Sequence, residues 1–146
     1  MPVIRLLIVD DAPVVREKFC QIICENPEFK VVAQASSASE AIERAKQYQP
    51  DVVLLDIAMP DLNGLHATPL LKNVAPQAEI LIVTQYDDRF FVREAFAAGA
   101  RGFLKKSDAG AELLTAVTDV FSKKRFISKG LQTTLNDGFL RKRLSA

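Results

Sequence analysis

The sequence predicts an α/β fold, a parallel sheet covered by helices on both faces, and three observations predict it. Five short apolar runs, at residues 3 to 9, 30 to 35, 51 to 55, 79 to 83 and 101 to 104, each have the length of a strand. Between and after them lie segments whose apolar residues recur at helical spacing, so strands alternate strictly with helices. Asp10 and Asp11 close the first run and Asp56 closes the third. Carboxylates in those places stand at the carboxyl edge of a parallel sheet, where open α/β folds bind ligands.

Taken in order, the first run is interrupted by Arg5 and ends in two aspartates, so it has neither the length of a membrane span nor the flanks of a signal peptide. The expectation is a cytoplasmic protein with no membrane contact. Val15, Phe19, Ile22 and Ile23 mark the first helix, which also carries Cys20 and Cys24 one turn apart. That spacing makes neither a disulfide framework nor a complete zinc site. The second helix, with Ala41, Ile42 and Ala45, follows Ser37-Ala38-Ser39-Glu40, the spacing of a capping box. Leu65, Leu70, Leu71 and Val74 mark the third, and Pro69 inside it removes a hydrogen bond and costs about 3 kcal/mol in a regular interior, so a kink or a late start is expected there. Asp87 or Asp88 can cap the fourth helix, which holds Val92, Ala95 and Phe96, and Gly99 can close it. Phe90 falls on its solvent side, where an exposed aromatic could contact a partner. Leu113, Leu114, Val117, Val120 and Phe121 form the fifth. Beyond them Ile127, Leu131, Leu135 and Phe139 recur every four residues, which predicts a sixth, amphipathic helix over 127 to 144 despite Gly130 and Gly138.

A chain of 146 residues fits one domain and buries roughly two thirds of its unfolded surface. Its net charge of +1 gives no global attraction to nucleic acid, and Arg141-Lys142-Arg143 is too small a footprint to change that. His66 has no Cys or His companion at ligand spacing and is assigned no metal role.

The chemistry lies with the strand-end residues. Three carboxylates brought together raise one another's pKa, and a divalent cation resolves the conflict. Hard oxygen ligands suit Mg²⁺, which shares its remaining positions with water and phosphate oxygens. Thr84 ends the fourth run and Lys106 follows the fifth, so a hydroxyl and an ammonium face the same carboxylates. A metal, a hydroxyl and an ammonium around one carboxylate supply what phosphoryl transfer requires, positioning and neutralised oxygens. Asp56 is then a nucleophile.

These segments resemble the receiver domains of two-component response regulators, over residues 3 to about 123. The matching pieces are Leu7-Ile8-Val9-Asp10-Asp11, Asp56-Ile57-Ala58-Met59-Pro60-Asp61-Leu62-Asn63-Gly64, Val83-Thr84, and Ala98-Gly99-Ala100-Arg101-Gly102-Phe103-Leu104-Lys105-Lys106. Singly each is weak, but in this order they are specific. The resemblance implies a flavodoxin-like (βα)5 doubly wound sheet in the order 2-1-3-4-5, and a phosphoacceptor switch, not an enzyme acting on other substrates. It implies that Asp56 takes a phosphoryl group from a sensor histidine kinase or phosphotransfer protein. Asp11, Asp56 and the backbone carbonyl of Ala58 would ligate Mg²⁺, with Asp10 acting directly or through water. Lys106, three residues after the switch aromatic Phe103, would pair with the phosphoryl oxygens, and Thr84 would donate to one of them. Phosphorylation would draw Thr84 inward and let Phe103 turn in, favouring one arrangement of the fourth helix and fifth strand. Ala58 and Tyr86 would flank the attack path and set the lifetime of the phosphoryl group.

Lys106 is followed by Ser107 where many receivers have proline, and with Gly-Ala-Arg-Gly-Phe and Arg125-Phe126-Ile127-Ser128 this is most like the receivers of LuxR-type regulators. A receiver over 1 to 123 and an extension over 124 to 146 are therefore expected, with homodimerisation through the face of the fourth helix, fifth strand and fifth helix. A LuxR-type helix-turn-helix would need roughly 60 more residues, so the chain reads either as a stand-alone receiver or as the receiver part of a DNA-binding regulator. Two rivals fit worse. A haloacid dehalogenase phosphatase needs a second acid two residues after its nucleophile, where Asp10 and Asp56 have Ala12 and Ala58. A flavodoxin-type FMN binder needs a phosphate loop where this chain has Asp-Asp-Ala-Pro.

Overall fold

The computed structural model describes residues 3 to 86 and 88 to 131. The elements run β1 (Ile4–Val9), α1 (Pro13–Cys24), β2 (Phe29–Ala35), α2 (Ala38–Tyr48), β3 (Val52–Leu55), α3 (Gly64–Val74), β4 (Glu79–Thr84), α4 (Arg89–Ala97), β5 (Gly102–Lys105), α5 (Ala109–Phe121) and β6 (Phe126–Ile127). A single 3-10 turn, Lys106–Asp108, joins β5 to α5. All strand pairs are parallel, in the order β2-β1-β3-β4-β5-β6. The order 2-1-3-4-5 is as expected, with one further strand at the β5 edge.

Alternation along each strand divides the core in two. Leu7, Val9, Val53, Leu55, Ile80, Ile82 and Phe103 face the side covered by α2, α3 and α4. Leu6, Ile8, Val52, Leu54, Leu81, Val83 and Leu104 face α1 and α5. Because both faces are covered, β3 is apolar throughout and β4 is apolar between its end residues. Arg5, the interruption in β1, turns its guanidinium to the carbonyls of Gln49 and Tyr48 at 2.9 and 2.7 Å.

Capping follows the sequence in most places. The amide of Glu40 donates to Ser37 Oγ at 3.2 Å, and that of Phe90 to Asp88 Oδ1 at 2.7 Å. Gly99, at φ +111°, closes α4. Helix α3 begins at Gly64 and runs on through Pro69, so no late start occurs. The missing amide falls on the exposed side of the helix, where water can take the freed carbonyl.

The helix expected over 127 to 144 does not begin at 127. Phe126 and Ile127 pair with Gly102 and Phe103, and a helical turn starts only at Lys129. A β-branched and an aromatic residue beside an open strand edge gain more from ladder pairing than from a helix's first turn. The remainder of that segment lies outside the described residues.

Candidate functional site

Sheet bonds place two of the three aspartates. The Asp10 amide donates to the Ala35 carbonyl at 3.1 Å and the Asp56 amide to Val9 at 3.1 Å, so both residues leave neighbouring strands at the same level. Asp10 and Asp56 are buried, 1% and 4% exposed, while Asp11 is open to solvent. One carboxylate oxygen from each of the three lies within 4.8 Å of the others.

Local turns aim the oxygens. Asp10 Oδ1 accepts from the Ala12 amide at 2.9 Å, which leaves Oδ2 to face Lys106. Asp56 Oδ1 accepts from the Ala58 amide at 3.4 Å, and its Oδ2 accepts from Lys106 Nζ at 3.0 Å. The same Nζ lies 2.8 Å from Asp10 Oδ2. Lys106 sits just past β5, and its half-buried ammonium therefore bridges the two buried carboxylates. Lys105 stands in register with Thr84 and does not take this place.

The electrostatics follow from that count. Burial pushes the Asp56 carboxyl above its ordinary value and the Asp10 charge adds to this, against the hydrogen bond and charge of Lys106. Burial alone would lower Lys106, but its bonds to Asp10 and Asp56 outweigh that and raise it. Three carboxylates and one ammonium leave an excess of two negative charges. That excess and an all-oxygen donor set fit a hard divalent cation.

Thr84 is fully buried at the end of β4, and its hydroxyl accepts from the Tyr86 amide at 3.3 Å rather than engaging Asp56. Phe103 is fully buried in the cluster that includes Leu131. Its ring packs on the side of the sheet covered by α2, α3 and α4. Phe90 is 60% exposed, and with Tyr86 it flanks Phe91, at ring distances of 5.7 Å for Phe90–Phe91 and 5.5 Å for Tyr86–Phe91. His66 is exposed on α3.

Three supporting residues were missed in the sequence. Asp61, in the loop after Asp56, accepts from the Ala38 and Ser39 amides at 2.8 and 2.9 Å and so caps α2 from a distance. Those two bonds hold its carboxyl down at about 2. Gly64 lies so close to the Asp56 backbone that a Cβ would come within 2.1 Å of its carbonyl oxygen. The Arg16 guanidinium donates to the Asp10 carbonyl at 2.6 Å. Asp61 and Gly64 carried a signal as members of a matching segment, but their structural reasons were invisible there.

An open, doubly wound parallel sheet with an acidic pocket and a lysine at its carboxyl edge places the chain among α/β proteins that carry their site at that edge. Within that class the chain belongs to the response regulator receiver domain family, whose model matches residues 6–118. It is 36% identical over 119 residues to the transcriptional regulatory protein LnrK of Bacillus subtilis (strain 168), covering 82% of this chain and 54% of that one. It is 33% identical over 137 residues to the oxygen regulatory protein NreC of Staphylococcus aureus (strain JH9), covering 93% and 63%. The chain thus spans little more than half the length of these relatives. Among solved structures, a LuxR-family two-component response regulator from Aurantimonas sp. SI85-9A1 superposes with a TM-score of 0.90 at 33% identity, covering 94% of this chain and 99% of that one. The receiver domain of the response regulator NarL from Mycobacterium tuberculosis superposes at 0.79 with 29% identity, covering 84% and 98%. The chain is therefore a signalling domain of a two-component system, and response regulators interact with histidine kinases or phosphotransfer proteins. Among the described residues no helix is long and apolar enough to cross a membrane.

Proposed function

We propose that this protein is a phosphoacceptor switch in which Asp56 receives a phosphoryl group. The observation that carries this reading is the single ammonium of Lys106 between two buried carboxylates, one of them held above its ordinary pKa. In the transfer a carboxylate oxygen of Asp56 bonds to phosphorus as the bond from phosphorus to the donor's nitrogen breaks, and the imidazole leaves with its electron pair. Lys106 is placed to follow the transferred group and pair with its oxygens. Thr84, the last residue of β4, would exchange its bond from the Tyr86 amide for one to a phosphoryl oxygen. Asp10, Asp11, Asp56 and the Ala58 carbonyl would hold Mg²⁺, which neutralises charge on the phosphoryl oxygens when bound. Ala58 and Tyr86, both exposed beside the site, set the access of water and hence the lifetime of the acyl phosphate.

The partner is a sensor histidine kinase or phosphotransfer protein. The phosphoacceptor unit spans 1 to 123 and 124 to 146 is its extension, although residues 126 to 131 already lie against the sheet. Homodimerisation through α4, β5 and α5 would include β6, because β6 occupies the outer edge of β5. A second reading, the receiver of a DNA-binding LuxR-type transcriptional regulator, is favoured by the length of LnrK, of which this chain covers 54%. The test of the chemistry is incubation with Mg²⁺ and acetyl phosphate or phosphoramidate followed by intact mass. One phosphate should add to the wild type and none to Asp56→Ala. No adduct on the wild type, or an equal adduct on the variant, overturns the assignment.

A further inference from the structure

Residues 126 to 131 lie beyond the last helix of the five-fold repeat, yet they are fastened to the strand that carries the switch. The Phe126 amide donates to the Arg101 carbonyl at 3.3 Å and the Ser128 amide to the Phe103 carbonyl at 3.0 Å. Ser128 Oγ accepts from the Lys105 amide at 2.8 Å, and Ser128 is fully buried. Leu131, 2% exposed, joins the same apolar cluster as Phe103, and its amide donates to Ser128 at 2.9 Å. The Lys129 amide donates to Glu112 Oε1 at 3.3 Å, and Gly130 lies against the Asp108 carboxylate. Upstream, Arg125 lies 4.0 Å over the Phe96 ring of α4.

We propose that residues 126 to 131 are a latch on β5 whose docking is coupled to phosphorylation of Asp56, with Ser128 as its positioning residue. The inference rests on the phosphoacceptor reading. Ser128 holds the amide of Lys105, one residue from the lysine that touches Asp56, and also the carbonyl of Phe103. Any shift of Lys106 toward a phosphoryl group is therefore felt at Ser128 through one peptide unit. Leu131 and the buried Phe103 belong to one apolar cluster, so a modification that holds Phe103 buried favours docking. A two-residue strand is also the element most ready to open, because few bonds hold it. Coupling of this kind is reciprocal: if the phosphoryl group tightens the latch, the latch tightens binding of the group by the same factor.

The experiment uses the full chain with Mg²⁺ and beryllofluoride, an acyl-phosphate mimic, and reads amide hydrogen exchange. Exchange at Lys105, Ser128 and Leu131 should slow by roughly fivefold or more when beryllofluoride binds, within the usual range of coupling between sites. Ser128→Ala, which removes only the side-chain acceptor, should weaken beryllofluoride binding by the same factor while its fold, checked by circular dichroism, persists. Unchanged or faster exchange over 126 to 131 in a wild type that binds beryllofluoride overturns the latch and leaves the phosphoacceptor reading standing. A wild type that takes neither beryllofluoride nor phosphate overturns both. The exchange measurement needs no variant, so failure of Ser128→Ala to fold does not remove the test.

Discussion

Replacing Asp56 by asparagine should make the protein more stable when divalent cations are absent. Three terms set the sign. At 3.0 Å and an effective dielectric of about 20, Lys106 attracts the Asp56 carboxylate by about 5–6 kcal/mol. Asp10, within 4.8 Å and buried, repels it by at least about 3 kcal/mol on the same scale, and the exposed Asp11 adds roughly half as much because water screens it. Attraction and repulsion therefore cancel to within about 1 kcal/mol, and the third term decides. That term is burial, which disfavours a charged group left only 4% exposed. Asparagine keeps the volume and removes the charge, while Lys106 keeps its partner Asp10 at 2.8 Å. The expected gain is about 1 kcal/mol, or about 3 °C in melting temperature for a domain of this size.

The assay is a pair of thermal melts in EDTA and again in excess Mg²⁺. In EDTA at neutral pH, Asp56→Asn should melt above the wild type. In Mg²⁺ at about 100 times its dissociation constant the wild type should gain about 2.7 kcal/mol and the variant, short of one ligand, less, so the order reverses. The pH dependence has a definite sign. Because the folded-state pKa of Asp56 is raised, its contribution to stability is fully present below the ordinary carboxylate value and is lost as pH rises through the folded value. The advantage of the variant should therefore grow from acid toward neutral pH. A variant that melts below the wild type in EDTA at neutral pH would refute the claim that this pocket carries excess negative charge.

Gly64→Ala should destabilise the fold by about 3 kcal/mol or more, since its Cβ meets the Asp56 carbonyl at 2.1 Å and backbone must move. Urea titration reads the loss, and a midpoint equal to that of the wild type would contradict it. The Asp61 carboxyl should titrate near 2 by NMR, with its capping contribution present above the ordinary carboxylate value and lost as pH falls through about 2. An ordinary midpoint would mean that its bonds to α2 do not persist in solution. Glu79→Gln should lower stability by about 1–3 kcal/mol, because it strips the buried partner from Arg101 and Lys123, whose own exposure discounts the loss. Melting at or above the wild type would show that pair of bridges to be inert.

The five strands and five helices were legible because both faces of the sheet are covered, so that β3 is wholly apolar, β1 and β4 are apolar but for Arg5, Glu79 and Thr84, and the helices carry one apolar stripe each. The strand-end rule then located Asp10, Asp11, Asp56, Thr84 and Lys106 at one edge. What the residues could not convey is contact at atomic range. Nothing in the sequence says that the Thr84 hydroxyl turns to Tyr86, that Asp61 reaches back 22 residues to Ser39, or that Gly64 lies against a carbonyl. The four-residue recurrence of Ile127 and Leu131 misled for a related reason. It reports which side chains meet the core, and both a helix and a short strand followed by a turn can bring Ile127 and Leu131 there.

The two ends of the sheet treat a buried acid in opposite ways, and this contrast locates the function. At the amino end Glu79 is 3% exposed, and burial alone would raise its pKa, yet its bonds to Lys123 and Arg101 outweigh that and hold it low. The charge there is neutralised by groups that tie β4 to the loop before β5 and to the end of α5, so it serves the fold. At the carboxyl end Asp56 is as deeply buried, but one lysine is shared between Asp10 and Asp56 with Asp11 beside them, and the pKa is raised. A chain that can neutralise a buried carboxylate at one edge and leaves it under-neutralised at the other holds free energy at that second edge, available to whatever supplies positive charge or rearranges the oxygens. Lys106 and Phe103 both lie on the short path from β5 into the 3-10 turn, and Ser128 is bonded to that path. The group with the unbalanced charge and residues 126 to 131 are thus joined by one strand, so a change at the first is placed to alter the second.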